Sequence, residues 1–177
     1  NGKDATRVLY SEQYVVNCDQ TDMGCNGGWL DQVWTFLINT GVPTAQCVTY
    51  TSGNSGVAGT CPTKCDDGSA ITLTKAIAQE DVATSVQSIM TGVALGPVTT
   101  RFNVYYDFEV YTGGIYQHLW GPLMGGHAVE IVGYGTENGQ DFWKVKNSWG
   151  ATWGEQGYFR ILKGVDECGI EEQCISS

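Results

Sequence analysis

The sequence predicts an α+β protein in which helices and strands occupy different parts of the chain. In the first part, apolar residues recur at the i, i+3, i+4 and i+7 spacing of one helix face: Leu30, Val33, Trp34 and Leu37. Beyond Gly96-Pro97, strand-like runs are separated by glycine-rich turns. Because helices and strands do not alternate, the pattern favours segregated α and β parts over a parallel βαβ sheet.

The first elements follow from capping residues and periodicity. Ser11 is a suitable N-cap for a short helix through Asn17, and Glu12 favours the first turn of that helix. The amphipathic helix comes next and ends at Gly41. Residues 42–68 show little periodicity but contain three cysteines and a glycine-rich run, which predicts a surface loop held by disulfides.

The later elements are a second helix and a set of strands. Val82, Val86, Ile89 and Met90 have helical spacing, and Gly92 closes this segment. Alternating or β-branched runs then predict strands at 98–104, 128–134, 142–146 and 158–162.

Composition narrows the class of protein. Nine Lys and Arg against 19 Asp and Glu give a net charge of −10, which argues against a nucleic-acid partner. No apolar run approaches the length of a membrane-spanning helix, so no membrane partner is expected. Seven cysteines indicate disulfides, and hence a lysosome-like vesicle or secretion. Since seven is odd, one cysteine lacks a partner within the chain.

A predicted hairpin places a histidine beside an asparagine. Two apolar runs flank the polar residues 136–141, so we expect His127, at the start of one strand, to meet Asn147, at the end of the other. A carboxamide oxygen that accepts from one ring nitrogen leaves the second nitrogen free for chemistry, as in a Cys-His-Asn arrangement. The alternative is two rim residues of an ordinary hairpin. Trp149, which would exclude water, favours the catalytic interpretation, whereas His118 carries no such motif and is interpreted as structural or exposed.

These residues belong to longer motifs. Gly-Gly-His-Ala at 125–128 and Asn-Ser-Trp-Gly at 147–150 resemble the histidine and asparagine motifs of papain-like cysteine proteases. Four further blocks resemble that family in the same order: 11–13, 24–28, 96–98 and 153–158. Three segments are similar to cathepsin B-like members in particular: 104–108, 114–118 and 167–171.

The resemblance implies a papain-like two-lobe fold, with a helical left lobe and an antiparallel β-barrel right lobe. Residues 1–68 would be the remainder of the helical, disulfide-rich lobe, and residues 69–166 the β-barrel lobe. Residues 167–177 would form a tail that crosses back to the helical lobe. The N-terminal part of the fold would be missing from this chain.

The resemblance also implies a cysteine endopeptidase that acts through a thiolate–imidazolium pair. His127 and Asn147 would be catalytic, and Trp149 would shield the hydrogen bond between them. The family's Cys-Gly-Ser/Ala-Cys-Trp signature does not occur in this sequence. We therefore expect the nucleophilic cysteine on an N-terminal light chain of the same precursor. The alternative is a catalytically silent homologue that binds peptides or serves as a scaffold.

The same resemblance implies that cysteines of this chain form disulfides. Cys25 is not the nucleophile but a disulfide partner, and its counterpart would lie outside this chain. The expected disulfides within the chain are Cys18–Cys61 and Cys47–Cys65. Cys168 and Cys174 are left over, and a local pair between them stays open. A zinc site using Cys61-x3-Cys65 is the competing hypothesis, but it has neither a C-x2-C pair nor a nearby histidine. No cofactor is expected.

Substrate contacts are the last inference from the resemblance. The residues expected to contact a peptide or protein substrate are Gly27, Gly28, Gly126, Ala128 and Gln173. The stretch from Cys47 to Cys61 holds no histidine that could bind a substrate's terminal carboxylate, which favours an endopeptidase. By the resemblance, Gln173 lies at the floor of the pocket for P2, the second substrate residue before the scissile bond. Because Gln173 is neutral and cannot balance a buried basic side chain, Leu, Val or Phe is expected at P2. The alternative is that Glu172, one position away, accepts a basic P2 residue.

Overall fold

The computed structural model describes residues 8–82 and 84–176, and the chain divides into two compact units after Ala78. The first unit is helical and contains α1 (Glu12–Cys18), α2 (Leu30–Asn39), α3 (Ser52–Ser55) and the 3-10 turn Gly24–Asn26. The helices of the second unit are α4 (Val86–Leu95), α5 (Tyr106–Glu109) and the 3-10 turn Glu167–Gly169. Its seven strands are β1 (Glu80–Val82), β2 (Val98–Tyr105), β3 (Ile115–Tyr116), β4 (Leu123–Glu137), β5 (Gln140–Lys146), β6 (Tyr158–Leu162) and β7 (Cys174–Ser176). In the described ranges, no helix is both long and apolar enough to cross a membrane.

One helix cap and two disulfides stabilise the first unit. Ser11 caps α1, since its Oγ accepts from the backbone N–H of Tyr14 at 3.0 Å and donates to the carbonyl of Val48 at 2.7 Å. The disulfides Cys18–Cys61 and Cys47–Cys65 are both present, so the loop expected over residues 42–68 is tied to α1.

The first unit extends beyond the boundary that the sequence suggested at residue 68. Thr74 forms an antiparallel bridge with Val42, and the backbone N–H of Ala76 donates to the carbonyl of Leu37 at 3.1 Å. These backbone hydrogen bonds hold residues 69–76 on the helical unit. The division therefore follows Ala78.

The second unit is one seven-stranded sheet in the order β1-β7-β2-β4-β5-β6-β3. Neighbouring strands are antiparallel except β3 and β6, which are parallel. The tail places β7 between β1 and β2; its predicted crossing to the helical lobe stays a prediction.

One predicted element was partly wrong. The helix expected from Val82 begins only at Val86, because the Ser85 Oγ accepts from the Ser88 N–H at 3.2 Å and starts the helix there. Val82 belongs instead to β1, where it pairs with Cys174 of β7. A strand pairing that is remote in sequence therefore overrides the local helical spacing.

The core of the second unit lies on one face of the sheet. Alternate residues of β2 are buried, namely Val98, Thr100, Phe102 and Val104. Trp143 and Val145 of β5 are fully buried beside them. The Trp143 Nε1–H donates to Glu171 Oε1 at 2.7 Å, and the Thr100 hydroxyl donates to the carbonyl of Ile170 at 2.7 Å. These two hydrogen bonds hold the C-terminal tail against the core of the second unit.

Cys168 and Cys174 are free thiols, so the local pair left open by the sequence does not form. Burial raises the pKa of the Cys168 thiol to about 12 and that of the Cys174 thiol to about 11. Both are therefore protonated at neutral pH and poor nucleophiles.

Candidate active site

Side chains alternate between the two faces of a strand, and this alternation places His127 and Asn147 together at one end of the core. His127 shares a face of β4 with buried Val129 and Ile131. Asn147 directly follows β5 and continues the buried alternation of Trp143 and Val145. The two side chains therefore lie on the same face, at the end of the core.

His127 lies inside β4 and does not open it, which corrects the expected strand start. β4 begins at Leu123 because its first residues pair with β2, in the register Tyr105↔Leu123 and Phe102↔His127. Only the later part of β4, from Glu130, pairs with β5 as the hairpin predicted. The backbone of His127 is thus fixed by its pairing with β2, and its side chain reaches Asn147 just past the end of β5.

A short hydrogen bond joins the two side chains. His127 Nε2 lies 2.8 Å from Asn147 Oδ1. Because an amide oxygen can only accept, Nε2 must carry the proton. Asn147 Oδ1 also accepts from the Ser148 N–H at 2.8 Å, and the Asn147 N–H donates to the Gly157 carbonyl at 2.9 Å. Nδ1 has no hydrogen-bond partner among the described residues and is the nitrogen left for proton transfer.

Trp149 covers the imidazole. The two rings are stacked, with centroids 5.1 Å apart and planes inclined by 25°. The indole is supported by Phe108 and Trp153, at centroid distances of 5.5 and 5.1 Å. This packing places the indole against His127, and its shielding of the His127–Asn147 hydrogen bond from water stays a prediction.

The environment of His127 favours the neutral imidazole. Burial lowers the pKa of His127 below its ordinary value of 6.5, and the hydrogen bond to Asn147 opposes this only in part. Neutral His127, with the proton on Nε2, can accept a proton on Nδ1. That is the state required of a general base.

A pH titration should reveal this shift. The folded-state pKa of His127 lies below the unfolded value near 6.5, so the unfolded chain binds more protons between the two values. We expect this contribution to stability to be present above pH 6.5 and to be lost as the pH falls through the folded pKa. NMR of labelled histidine should give a midpoint below 6.5, with His127→Gln identifying the resonance. A midpoint above 6.5 in the isolated chain would contradict the burial argument.

The expected substrate residues fall into two groups. Gly126 and Ala128 flank His127 on β4 and are exposed, and the Gln173 Oε1 accepts from Arg101 Nε at 3.0 Å. Since Arg101 is the cross-strand partner of Ala128, the fold brings Ala128 and Gln173 to the same arginine. Sequence reasoning missed Arg101, because only the pairing of β2 with β4 and the tail reveals its position.

Gly27 and Gly28 lie in the first unit, in an exposed turn. Gly27 has φ of 106°, a conformation that favours glycine. A Cβ on Gly28 would lie 2.5 Å from the carboxyl carbon of Asp22, so a side chain cannot be accommodated there without movement. Their contact with substrate stays a prediction.

The remaining candidates have defined surroundings. Cys25 is exposed and free in the turn Gly24–Asn26. His118 Nδ1 lies 3.1 Å from Asp107 Oδ1, and its ring stacks on Tyr105 at 3.7 Å, in agreement with a structural role. The zinc hypothesis is wrong, because the sulfurs of Cys61 and Cys65 are both committed to disulfides.

Comparison with known proteins gives consistent matches. A family model described as papain family cysteine protease matches residues 1–177. The chain is 54% identical to cathepsin B-like CP3 of Giardia intestinalis, covering 98% of this chain and 59% of the relative. It is 36% identical to a gut-specific cysteine proteinase of Caenorhabditis elegans, with 98% and 59% covered. The chain thus spans 59% of the length of these curated relatives.

Two solved structures are similar in fold to this chain. Procathepsin B S9 from Trypanosoma congolense superposes with a TM-score of 0.91 at 29% identity, covering 97% of this chain and 60% of that one. Bromelain from Ananas comosus, in complex with the E64 inhibitor, gives a TM-score of 0.79 at 32% identity, with 98% and 80% covered.

Proposed function

The chain belongs to the papain family of cysteine proteases, and on that premise we propose that it supplies His127 and Asn147 to a cathepsin B-type cysteine endopeptidase. The nucleophilic cysteine lies on an N-terminal light chain of the same precursor. The observation that carries the proposal is the 2.8 Å bond between His127 Nε2 and Asn147 Oδ1, with Nδ1 left without a partner in the described part of the chain.

The proposed reaction uses the two ring nitrogens differently. His127 Nδ1 takes the proton of the light-chain thiol, and the resulting thiolate attacks the carbonyl carbon of the scissile peptide. The imidazolium then gives this proton to the leaving amine, which departs and leaves a thioester. Nδ1 next takes a proton from water, whose oxygen attacks the thioester and releases the acid while the proton returns to the thiol. Asn147 holds Nε2–H in place throughout these steps.

The first unit offers a docking face for the light chain. No residue of α2 is buried, although the helix is amphipathic. Leu30, Val33 and Trp34 are half-buried and belong to neither of the two apolar clusters of the described residues. We infer that a light-chain helix packs on this face, and that Cys25, which is exposed and free, forms a disulfide with that chain.

Residues 1–177 refolded without a light chain are therefore expected to show no peptidase activity, because they lack a nucleophile and leave α2 partly exposed. Addition of the light chain in a thiol–disulfide redox buffer, which forms disulfides but keeps the nucleophile reduced, should restore activity and protect Cys25 from alkylation. Intact mass before and after reduction, with sequencing of any released chain, would identify a Cys-Gly-Ser-Cys-Trp peptide. Full activity of residues 1–177 alone would contradict the proposal. A light chain with Ser or Gly in place of the nucleophile would instead establish a silent, peptide-binding homologue.

The substrates of the proposed enzyme are peptides or proteins, and its location is a lysosome-like vesicle or the exterior of the cell. Two disulfides support an oxidising route, since such bonds are rare in reducing compartments. Gly126, Ala128 and Gln173 on the second unit, with Gly27 and Gly28 on the first, are the proposed substrate contacts.

A further inference from the structure

A cationic side chain lies beside the proposed substrate contacts. Arg101 of β2 is the cross-strand partner of Ala128, and the next pair along the two strands is Phe102 with His127. Cross-strand partners project from the same face of a sheet, so Arg101 and Ala128 share a face, and the neighbouring pair Phe102 and His127 projects from the opposite face. Thr99 and Glu130, paired two positions earlier, project from the face of Arg101 and Ala128, and they line an open groove together with Ala128 and Asn147.

The tail of the chain orients this arginine. Arg101 Nε donates to Gln173 Oε1 at 3.0 Å, and Arg101 Nη2 lies 3.3 Å from Glu172 Oε2. The Arg101 side chain remains 39% exposed, and Glu172 is 52% exposed. Arg101 Nη1 has no partner within the described ranges. The guanidinium is thus fixed in direction and still has N–H donors for a ligand.

The sequence pointed first to the neutral Gln173, whereas the structure places the cation Arg101 beside it. The neutral Gln173 by itself favours an apolar substrate residue over a basic one. Glu172, the alternative partner for a basic residue, is already paired with Arg101. A basic side chain would have to compete with Arg101 for this carboxylate, whereas an acidic or amide side chain could accept from the guanidinium.

We propose that Arg101 sets the charge preference of the enzyme at P2, the second residue before the scissile bond, so that Glu or Gln is bound in preference to Lys or Arg. This inference rests on the proposed function, since Ala128 and Gln173 are substrate contacts only by that proposal. The contact is partly exposed, so the preference is moderate. Charge pairs of this kind are worth up to about 1 kcal/mol each, which corresponds to a factor of about five.

The test uses peptides that differ only at P2, with Glu, Leu or Lys, each as a fluorogenic substrate and as an uncleavable analogue. In the assembled protein we expect kcat/KM for P2 Glu to exceed that for P2 Lys by about fivefold, and the analogues to bind in the same order. In Arg101→Met the order should disappear or invert, because Glu172 is released. Arg101→Lys should keep the order, and Glu172→Gln should strengthen it.

Lys144→Met is the matched control. Lys144 is an exposed residue of β5, with its Nζ 5.2 Å from the centre of the Tyr158 ring, and its removal should leave the P2 order unchanged. If Arg101→Met hydrolyses the P2 Leu substrate normally but keeps the parent's charge order, the role of Arg101 is wrong and the proposed function stands. If no peptide is cleaved but the analogues bind with the expected order and lose it in Arg101→Met, the inference stands and the enzymatic proposal falls. Equal affinity of the parent for P2 Glu and P2 Lys analogues would overturn the inference.

Discussion

Replacement of His127 by alanine in the assembled enzyme is expected to abolish measurable peptide hydrolysis, with kcat/KM falling by about 10²–10⁴-fold or more. In the proposed mechanism the imidazole takes the thiol proton and returns it to the leaving amine. Without it the thiol is mostly protonated at neutral pH and the amine leaves unassisted. The measurement is hydrolysis of a fluorogenic dipeptidyl amide, with folding verified by circular dichroism.

Asn147 variants separate orientation from proton transfer. Asn147→Ala should reduce kcat less than His127→Ala does, because the imidazole remains but Nε2–H loses its acceptor at 2.8 Å. Asn147→Asp keeps an acceptor oxygen and adds a negative charge, which should raise the pKa of His127 and shift the acid limb of the pH profile upward. His118→Gln serves as the control, since His118 pairs with Asp107 and has no part in the proposed reaction. Near-normal hydrolysis by His127→Ala would show that His127 is not the base.

The largest effect on stability is expected for Trp143→Ala. Trp143 is fully buried at the centre of the second unit's core, and its indole N–H donates to buried Glu171 at 2.7 Å. Truncation removes the apolar contacts and leaves a cavity, which lowers the free energy of unfolding by about 3–5 kcal/mol. It also removes one donor from a carboxylate that is only 6% exposed.

Urea unfolding of the assembled protein measures this loss. Trp143→Phe keeps most of the apolar volume but not the hydrogen bond, so its loss should be smaller than that of Trp143→Ala. Trp120→Ala is the matched control, because Trp120 is 55% exposed and its truncation should change stability by less than about 1 kcal/mol. Equal stability of Trp143→Ala and Trp120→Ala would contradict the assignment of Trp143 to the core.

Local patterns in the sequence predicted the parts of this structure that depend on neighbouring residues. The hairpin between β4 and β5 could be predicted because its strands are adjacent in the chain, and it led to the pairing of His127 with Asn147. α2 followed in the same way from its helical spacing. The disulfides, by contrast, were expected only through resemblance to a family, since spacing alone does not specify which cysteines pair.

Contacts between distant residues could not be predicted from these patterns. His127 appeared to open a strand because its pairing with Phe102 of β2 leaves no local signal. Arg101 contacts Gln173 across 72 positions, and neither residue type nor periodicity indicates that contact. Val82 was assigned to a helix because its pairing with Cys174 is equally remote. The specificity determinant proposed here therefore depends on the three-dimensional structure.

The location of the disulfides limits how such an enzyme can be activated in the laboratory. Both bonds lie in the first unit, and they close loops of 43 and 18 residues. In the chain-entropy account, opening them lowers stability by about 4 and about 3 kcal/mol. The thiol nucleophile of a cysteine protease must be kept reduced, but a strong reductant would also cleave the two scaffold bonds and any link through Cys25. Assay conditions must therefore be reducing enough to keep the nucleophile as a thiol. They must not be so reducing that the two disulfides open and the helical unit loses stability.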